Sequence, residues 1–173
     1  MDWRGLDQSG LETLGERLGE LAAPGTVLFL QGPMGAGKTT FTRALGRGMK
    51  LRRPDRVCSP TFNICLVHEG PVPLVHVDLF RLAPDEGADA PAPASFEALG
   101  LEPLLDRLAD ENPDADTDAG VLAIEWADLW LAARSDLDAL VLRLSRPDPD
   151  HRDLEAEALG PRHARLLTRW RDS

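Results

Sequence analysis

Apolar positions along the chain alternate between two periods, and that alternation predicts an α/β fold. Leu11, Leu14, Leu18 and Leu21 fall on one helical face, behind Ser9-Gly10-Leu11-Glu12, which matches the capping box S-x-x-E. Pro24-Gly25 ends that helix, and Val27-Leu28-Phe29-Leu30 follows as a short strand buried on both faces. Phe41, Leu45 and Met49 return to helical spacing. Residues 61–67 and 74–78 read as two strands joined by the turn His68-Glu69-Gly70-Pro71, a short spacing that suggests an antiparallel hairpin rather than a βαβ crossover.

The second half is more broken. Residues 83–94, rich in Ala, Pro and Asp, read as a flexible surface loop. A helix capped by Ser95 and bent near Gly100 and Pro103 is predicted to run to Leu108, followed by an acidic loop over 110–118. Gly120-Val121-Leu122-Ala123-Ile124-Glu125-Trp126 predicts a buried strand ending in a carboxylate, and residues 128–134 a short helix. Residues 137–144 read as a strand, Leu154, Ala156 and Ala158 as an edge strand, and 163–170 as a closing helix. At 173 residues, one domain spanning 1–173 is the simplest organisation.

Between the first strand and the second helix lies Gly32-Pro33-Met34-Gly35-Ala36-Gly37-Lys38-Thr39, a full match to G-x-x-x-x-G-K-[ST]. Gly32, Gly35 and Gly37 let backbone N–H groups approach an anion, and the helix opening at Lys38 adds unpaired donors and the positive end of its dipole. Lys38 supplies a point charge for the outer phosphates, and the Thr39 hydroxyl suits Mg²⁺. Strand, glycine loop and helix in this order predict a nucleotide-phosphate site.

Charge narrows the partners. A formal net charge of −10 argues against a chain that binds DNA or RNA unaided. Of 19 basic residues only Lys38 and Lys50 are lysines, and one of them fills the motif's lysine position. Arg43, Arg47, Lys50, Arg52, Arg53 and Arg56 form a local basic cluster. It reads equally as a helix end complementing its dipole and as a docking patch. No apolar run reaches membrane-spanning length. Cys58 and Cys65 lack metal or redox spacing and read as free thiols of a cytoplasmic protein. The four histidines show no paired-ligand spacing and read as structural.

Hydrolysis on a phosphate loop needs a further carboxylate and a group that orients water. Asp78 ends LVHVD and Glu125 ends VLAIE, the strand ends where α/β sheets hold ligands. Thr61, in Ser59-Pro60-Thr61, reads either as a turn residue or as a switch hydroxyl sensing the γ-phosphate.

GPMGAGKTTFTR, SPTF, HVDLFRL and IEW, in this order, resemble the TsaE family. These are small bacterial ATPases needed to make threonylcarbamoyladenosine at position 37 of tRNAs that read ANN codons. The likeness runs from about Leu11 to Arg152. It implies a P-loop NTPase-like three-layer α/β sandwich, a mixed central sheet flanked by helices. It further implies ATP and Mg²⁺ as cofactors. Gly35, Ala36, Gly37, Lys38, Thr39 and Thr40 would wrap the phosphates, while Thr39 and Glu125 would coordinate Mg²⁺ directly or through water. Asp78 matches the Walker B acid required for ATPase activity, Thr61 a switch-like threonine, and Trp126 the tryptophan beside the Mg²⁺ acid. Asp7 and His151-Arg152 fall near the family's nucleoside contacts. Such proteins bind the TsaD–TsaB heterodimer, and tRNA only through that complex. Two alternatives stay open on the residues alone: a small-molecule P-loop kinase, and a non-catalytic module whose interactions are gated by nucleotide.

Overall fold

The computed structural model describes residues 1–82, 120–128 and 137–173. The loop expected at 83–94, the helix at 95–108, the acidic loop at 110–118 and nearly all of the helix at 128–134 lie outside the described residues. The strands are β1 (Asp2–Leu6), β2 (Val27–Gln31), β3 (Cys65–His68), β4 (Leu74–Asp78), β5 (Val121–Glu125), β6 (Leu140–Ser145) and β7 (Arg152–Ala158). The helices are α1 (Gln8–Leu21), α2 (Lys38–Gly48) and α3 (Pro161–Arg171). One mixed sheet orders the strands β1-β7-β6-β2-β5-β4-β3. The central β6, β2, β5 and β4 run parallel to one another, while β3, β7 and β1 pair antiparallel with their neighbours.

Strand periodicity sorts the interior into two clusters. Leu28, Leu30, Val121, Ala123, Leu140 and Leu142 face Leu11, Leu18, Phe41, Leu45, Leu166 and Trp170 of the three helices. Val27, Phe29, Leu122, Ile124, Val77 and Val141 form the second cluster on the opposite face. Each fully buried Leu or Phe contributes about 1.5–3 kcal/mol, so these clusters dominate the favourable side of folding. Helices α1 and α2 meet through glycine. A Cβ on Gly19 would lie 2.2 Å from the Leu45 carbonyl oxygen, and one on Gly48 would lie 2.0 Å from that of Glu16. This approach seats α2 firmly against α1, and Arg47 of α2 ties it to Glu12 (2.7 Å) and Glu16.

Three expectations need correction. Helix α1 is capped by Asp7, whose Oδ1 accepts from Gly10 N–H at 2.7 Å, so Ser9 lies inside the helix; a carboxylate two residues earlier wins over the hydroxyl. A strand at the N-terminus was missed: β1 covers β7, which is therefore not an edge. β1 is polar, short and bulged at Gly5 (φ 62°), and so carries no clear period-2 signal. The strand expected over 61–67 begins only at Cys65, because Ile64 takes a positive φ of 65° and breaks the ladder.

Candidate functional site

The site is assembled at the carboxyl ends of β2, β5 and β4. These strands are neighbours, and Glu125 pairs in register with Leu30 on one side and Asp78 on the other. Along β4, Leu74, His76 and Asp78 share one face, and on β5 Glu125 shares the face of Val121 and Ala123. That face is the one α2 covers, so period-2 alternation aims His76, Asp78 and Glu125 toward the phosphate helix.

The loop between β2 and α2 has the form that its glycines require. Gly32, Gly35 and Gly37 have φ of 130°, 77° and 102°, the left-handed half of the map. Gly37 is the N-cap of α2 and makes no side-chain cap, and the first helical bond runs from Phe41 N–H to the Gly37 carbonyl at 2.8 Å. The N–H groups of Lys38, Thr39 and Thr40 therefore have no partner among the described residues and open into the site, a donor set suited to phosphate oxygens.

Lys38 is 5% exposed. Its Nζ donates to the Gly32 and Pro33 carbonyls at 2.6 and 3.0 Å and lies 3.9 Å from the centre of the Trp126 ring. Burial lowers its pKa below the usual lysine range, against the pull of Glu125, Asp78 and Asp128. Trp126 takes φ 61°, unusual for a bulky side chain, and that turn lays its indole beside Lys38 and the Phe80 ring (4.9 Å).

Thr39 Oγ1 donates to Glu125 Oε2 at 3.0 Å, and His76 Nε2 lies 2.8 Å from Glu125 Oε1. Asp78 is 1% exposed. Its Oδ2 accepts from Ser59 Oγ and from Thr61 Oγ1 (2.7 Å), and its Oδ1 accepts from Phe80 N–H at 2.9 Å. The loop after the basic turn at Pro54–Arg56 is thus clasped to the end of β4. A cavity of about 570 Å³ runs past Lys38, Thr39, Ser59, Thr61, Asp78, Phe80, Glu125 and Trp126, and His76 does not line it. Gln8, Leu11, Met34, Asp150 and Arg152 line it as well.

The structure brings Gly35, Gly37, Lys38, Thr39, Thr40, Thr61, Asp78 and Glu125 to one cavity. Ala36 is wholly buried beneath the loop, and Gly32 closes it against Leu144 rather than lining it. Asp7 and His151 do not line the cavity, whereas Arg152 does. Two residues with a direct place in the site were missed. Ser59 differs from any turn serine only by its contact, and His76 was read as structural because no ligand spacing marked it. The i, i+2 spacing of His76 and Asp78 was the available signal. Among the described residues no group of three His, Cys, Asp or Glu side chains could hold a metal ion by itself. The hard oxygens of Thr39 and Glu125 suit a small cation whose other ligands are water and phosphate oxygens. The basic cluster is partly committed to the fold: Arg47 pairs with α1, Arg43 donates to the Val57 carbonyl (2.8 Å), and Arg52 pairs with Glu69 (2.8 Å).

A family profile described as "Threonylcarbamoyl adenosine biosynthesis protein TsaE" matches residues 6–154. The protein named tRNA threonylcarbamoyladenosine biosynthesis protein TsaE in Streptomyces coelicolor is 35% identical over 83% of this chain and 84% of its own. Its namesake in Bacillus subtilis is 30% identical over 96% and 90%. The Nostoc protein of the same name is 34% identical over 70% of this chain and 65% of its own. The crystal structure of Bacillus subtilis YdiB superposes with a TM-score of 0.71 at 25% identity, covering 99% of this chain and 94% of that one. Motifs, site and profile agree, and the chain belongs to the TsaE family.

Proposed function

We propose that this protein is an ATP-binding, Mg²⁺-dependent ATPase that supports threonylcarbamoyladenosine modification of tRNA by acting on a TsaD–TsaB heterodimer. It reaches tRNA only through that complex, in the cytoplasm, and does not itself transfer the threonylcarbamoyl group. One observation carries the reading. The phosphate loop, with its free helix-terminal N–H groups, shares a cavity with Thr39 bonded to Glu125 and with Asp78 one strand away.

Each group has a task that follows from its place. The N–H groups of Lys38, Thr39 and Thr40 and the Lys38 ammonium bind the β- and γ-phosphates and spread the charge that builds on them. Thr39 and Glu125 would hold Mg²⁺, which supplies charge neutralisation across the two phosphates. Asp78, with Thr61 on its Oδ2, orients the attacking water. Water bonds to the γ-phosphorus as the γ-phosphorus–bridging-oxygen bond breaks, giving ADP and phosphate. The fold has no helix long and apolar enough to cross a membrane among the described residues.

The test is phosphate release from Mg·ATP, alone and with a TsaD–TsaB pair. Stimulation by the pair, lost in Asp78→Ala and Glu125→Ala, supports the reading; steady release unaltered by the pair or by either substitution refutes it. The Ser59–Thr61–Asp78 clasp favours a second reading, a module whose surface is gated by nucleotide without turnover. Tight ATP binding and partner engagement with no phosphate release would select it.

A further inference from the structure

Histidine is an odd choice for position 76. The strand interior around it is apolar, and its side chain is wholly buried. Among the described residues its Nδ1 finds no hydrogen-bond partner, and neither does the buried Nε2 of His68, whose ring centre is 6.0 Å away. A valine or leucine would fill the space and leave no polar atom orphaned. What the imidazole does have is one contact, Nε2 to Glu125 Oε1 at 2.8 Å. An ionised carboxylate oxygen only accepts, so His76 donates from Nε2 and the bare nitrogen is Nδ1, matching the atom left without a donor.

The other carboxylate oxygen, Oε2, takes the Thr39 hydroxyl at 3.0 Å. Glu125 is therefore gripped at both oxygens from two sides, by β4 through His76 and by α2 through Thr39. Of the two grips, only Thr39 belongs to the phosphate motif. Without His76, the carboxylate would be free to rotate and to offer either oxygen in several rotamers. Partners of this kind, which hold a ligating group through its far atom, set both orientation and affinity at metal sites.

We propose that His76 is the positioning residue of Glu125, presenting Oε2 to the cation side of the nucleotide site; this rests on the function proposed above. The experiment compares affinity for a fluorescent ADP analogue with and without Mg²⁺, in the wild-type chain, His76→Leu and His76→Gln. The ratio of the two affinities falls about ten- to a hundredfold in His76→Leu. His76→Gln places an amide N–H where Nε2 was and restores most of it. An undiminished ratio in His76→Leu, or a glutamine variant no better than leucine, overturns the positioning role alone. A wild-type chain whose nucleotide affinity ignores Mg²⁺ overturns both readings. The wild-type ring gives a check that needs no substitution. Nitrogen chemical shifts place the proton of His76 on Nε2, and an Nδ1–H ring with bare Nε2 overturns the proposal.

Discussion

Replacing His163 with leucine tests how the phosphate strand is anchored. His163 lies in the first turn of α3, is 1% exposed, and bridges two elements. Its Nε2 accepts from Val27 N–H, the first residue of β2, at 3.0 Å, while Nδ1–H donates to Asp138 Oδ1 at 2.7 Å. Leucine has a similar volume, so the main loss is polar. Orphaning the buried Val27 N–H costs about 1–3 kcal/mol, and the bond to Asp138 adds about 1 kcal/mol, since Asp138 keeps the backbone N–H groups of Arg162 and His163. A total near 3 kcal/mol, with a urea slope of about 2 kcal/mol/M, lowers the denaturation midpoint by roughly 1.5 M at pH 7.5. The pH dependence is the sharper readout. Burial lowers the His163 pKa below its ordinary value of 6.5, with Asp138 pulling the other way. The folded ring therefore binds fewer protons than the unfolded one, so its contribution is full above about pH 6.5 and is lost as the pH falls through the folded pKa. Protonation would set an Nε2–H against Val27 N–H, which states the same loss structurally. Wild-type stability should fall between pH 7.5 and 5, and His163→Leu should flatten that fall. His68, lowered by burial and by His76, leaves a residual slope of the same sign. A midpoint within 0.3 M of wild type, with parallel pH curves, would refute the reasoning, because both hydrogen bonds would then be worth about nothing.

Three further outcomes follow from the site. Both positions have positive φ (130° and 102°), but Gly32→Ala puts a Cβ 2.1 Å from the Leu144 carbonyl oxygen, whereas the nearest atom to a Gly37→Ala Cβ is the flexible end of Leu11 at 2.7 Å. Thermal melts should rank Gly32→Ala as much the less stable, and the reverse order would contradict the loop geometry. Lys38→Met removes a buried cation whose pKa is already lowered by burial, so stability shifts by about 1 kcal/mol or less. ATP affinity by titration should fall about a hundredfold, the equivalent of about 3 kcal/mol; an unchanged affinity would remove Lys38 from the site. Asp78→Ala strips the acceptor from Ser59, Thr61 and Phe80 N–H, so hydrogen exchange at Thr61–Ile64 should quicken about tenfold or more, since each lost charge-assisted bond is worth about 1.5–3 kcal/mol. Exchange at the wild-type rate would mean that the clasp does not order the loop.

What could be read from the sequence, and what could not, divides along physical lines. The loop between β2 and α2 was legible because its motif fixes backbone geometry. Glycine takes φ of 77° and 102° readily, and the N-terminus of α2 leaves free N–H groups beside it. Asp78 and Glu125 were legible because they end apolar runs, and a strand end in a parallel sheet has a known address. β1 was not, because its two core-packed side chains, Trp3 and Leu6, stand three residues apart across a bulge and so show no period of two. Nor was Asp7, because Asp and Ser are comparable N-caps and both stand at the start of the apolar period; it is Asp7 Oδ1 that accepts from Gly10 N–H.

His76 lies between these cases. Its position is fixed by the same alternation that places Asp78, since both belong to one face of β4, two residues apart. What the alternation does not carry is the neighbour. That face meets Glu125 only because β5 lies beside β4 in parallel, with His76 opposite Ala123 and Asp78 opposite Glu125. The intervening chain between β4 and β5 makes this a crossover, and nothing local in either strand states which strand will be adjacent. One strand thus delivers two polar groups to the site with different tasks. Asp78 reaches outward to Ser59 and Thr61 of the loop, and His76 reaches sideways to Glu125 beneath the phosphate helix. A displacement of β4 along its own axis would disturb both contacts at once. Both contacts therefore depend on the register of β4 against β5.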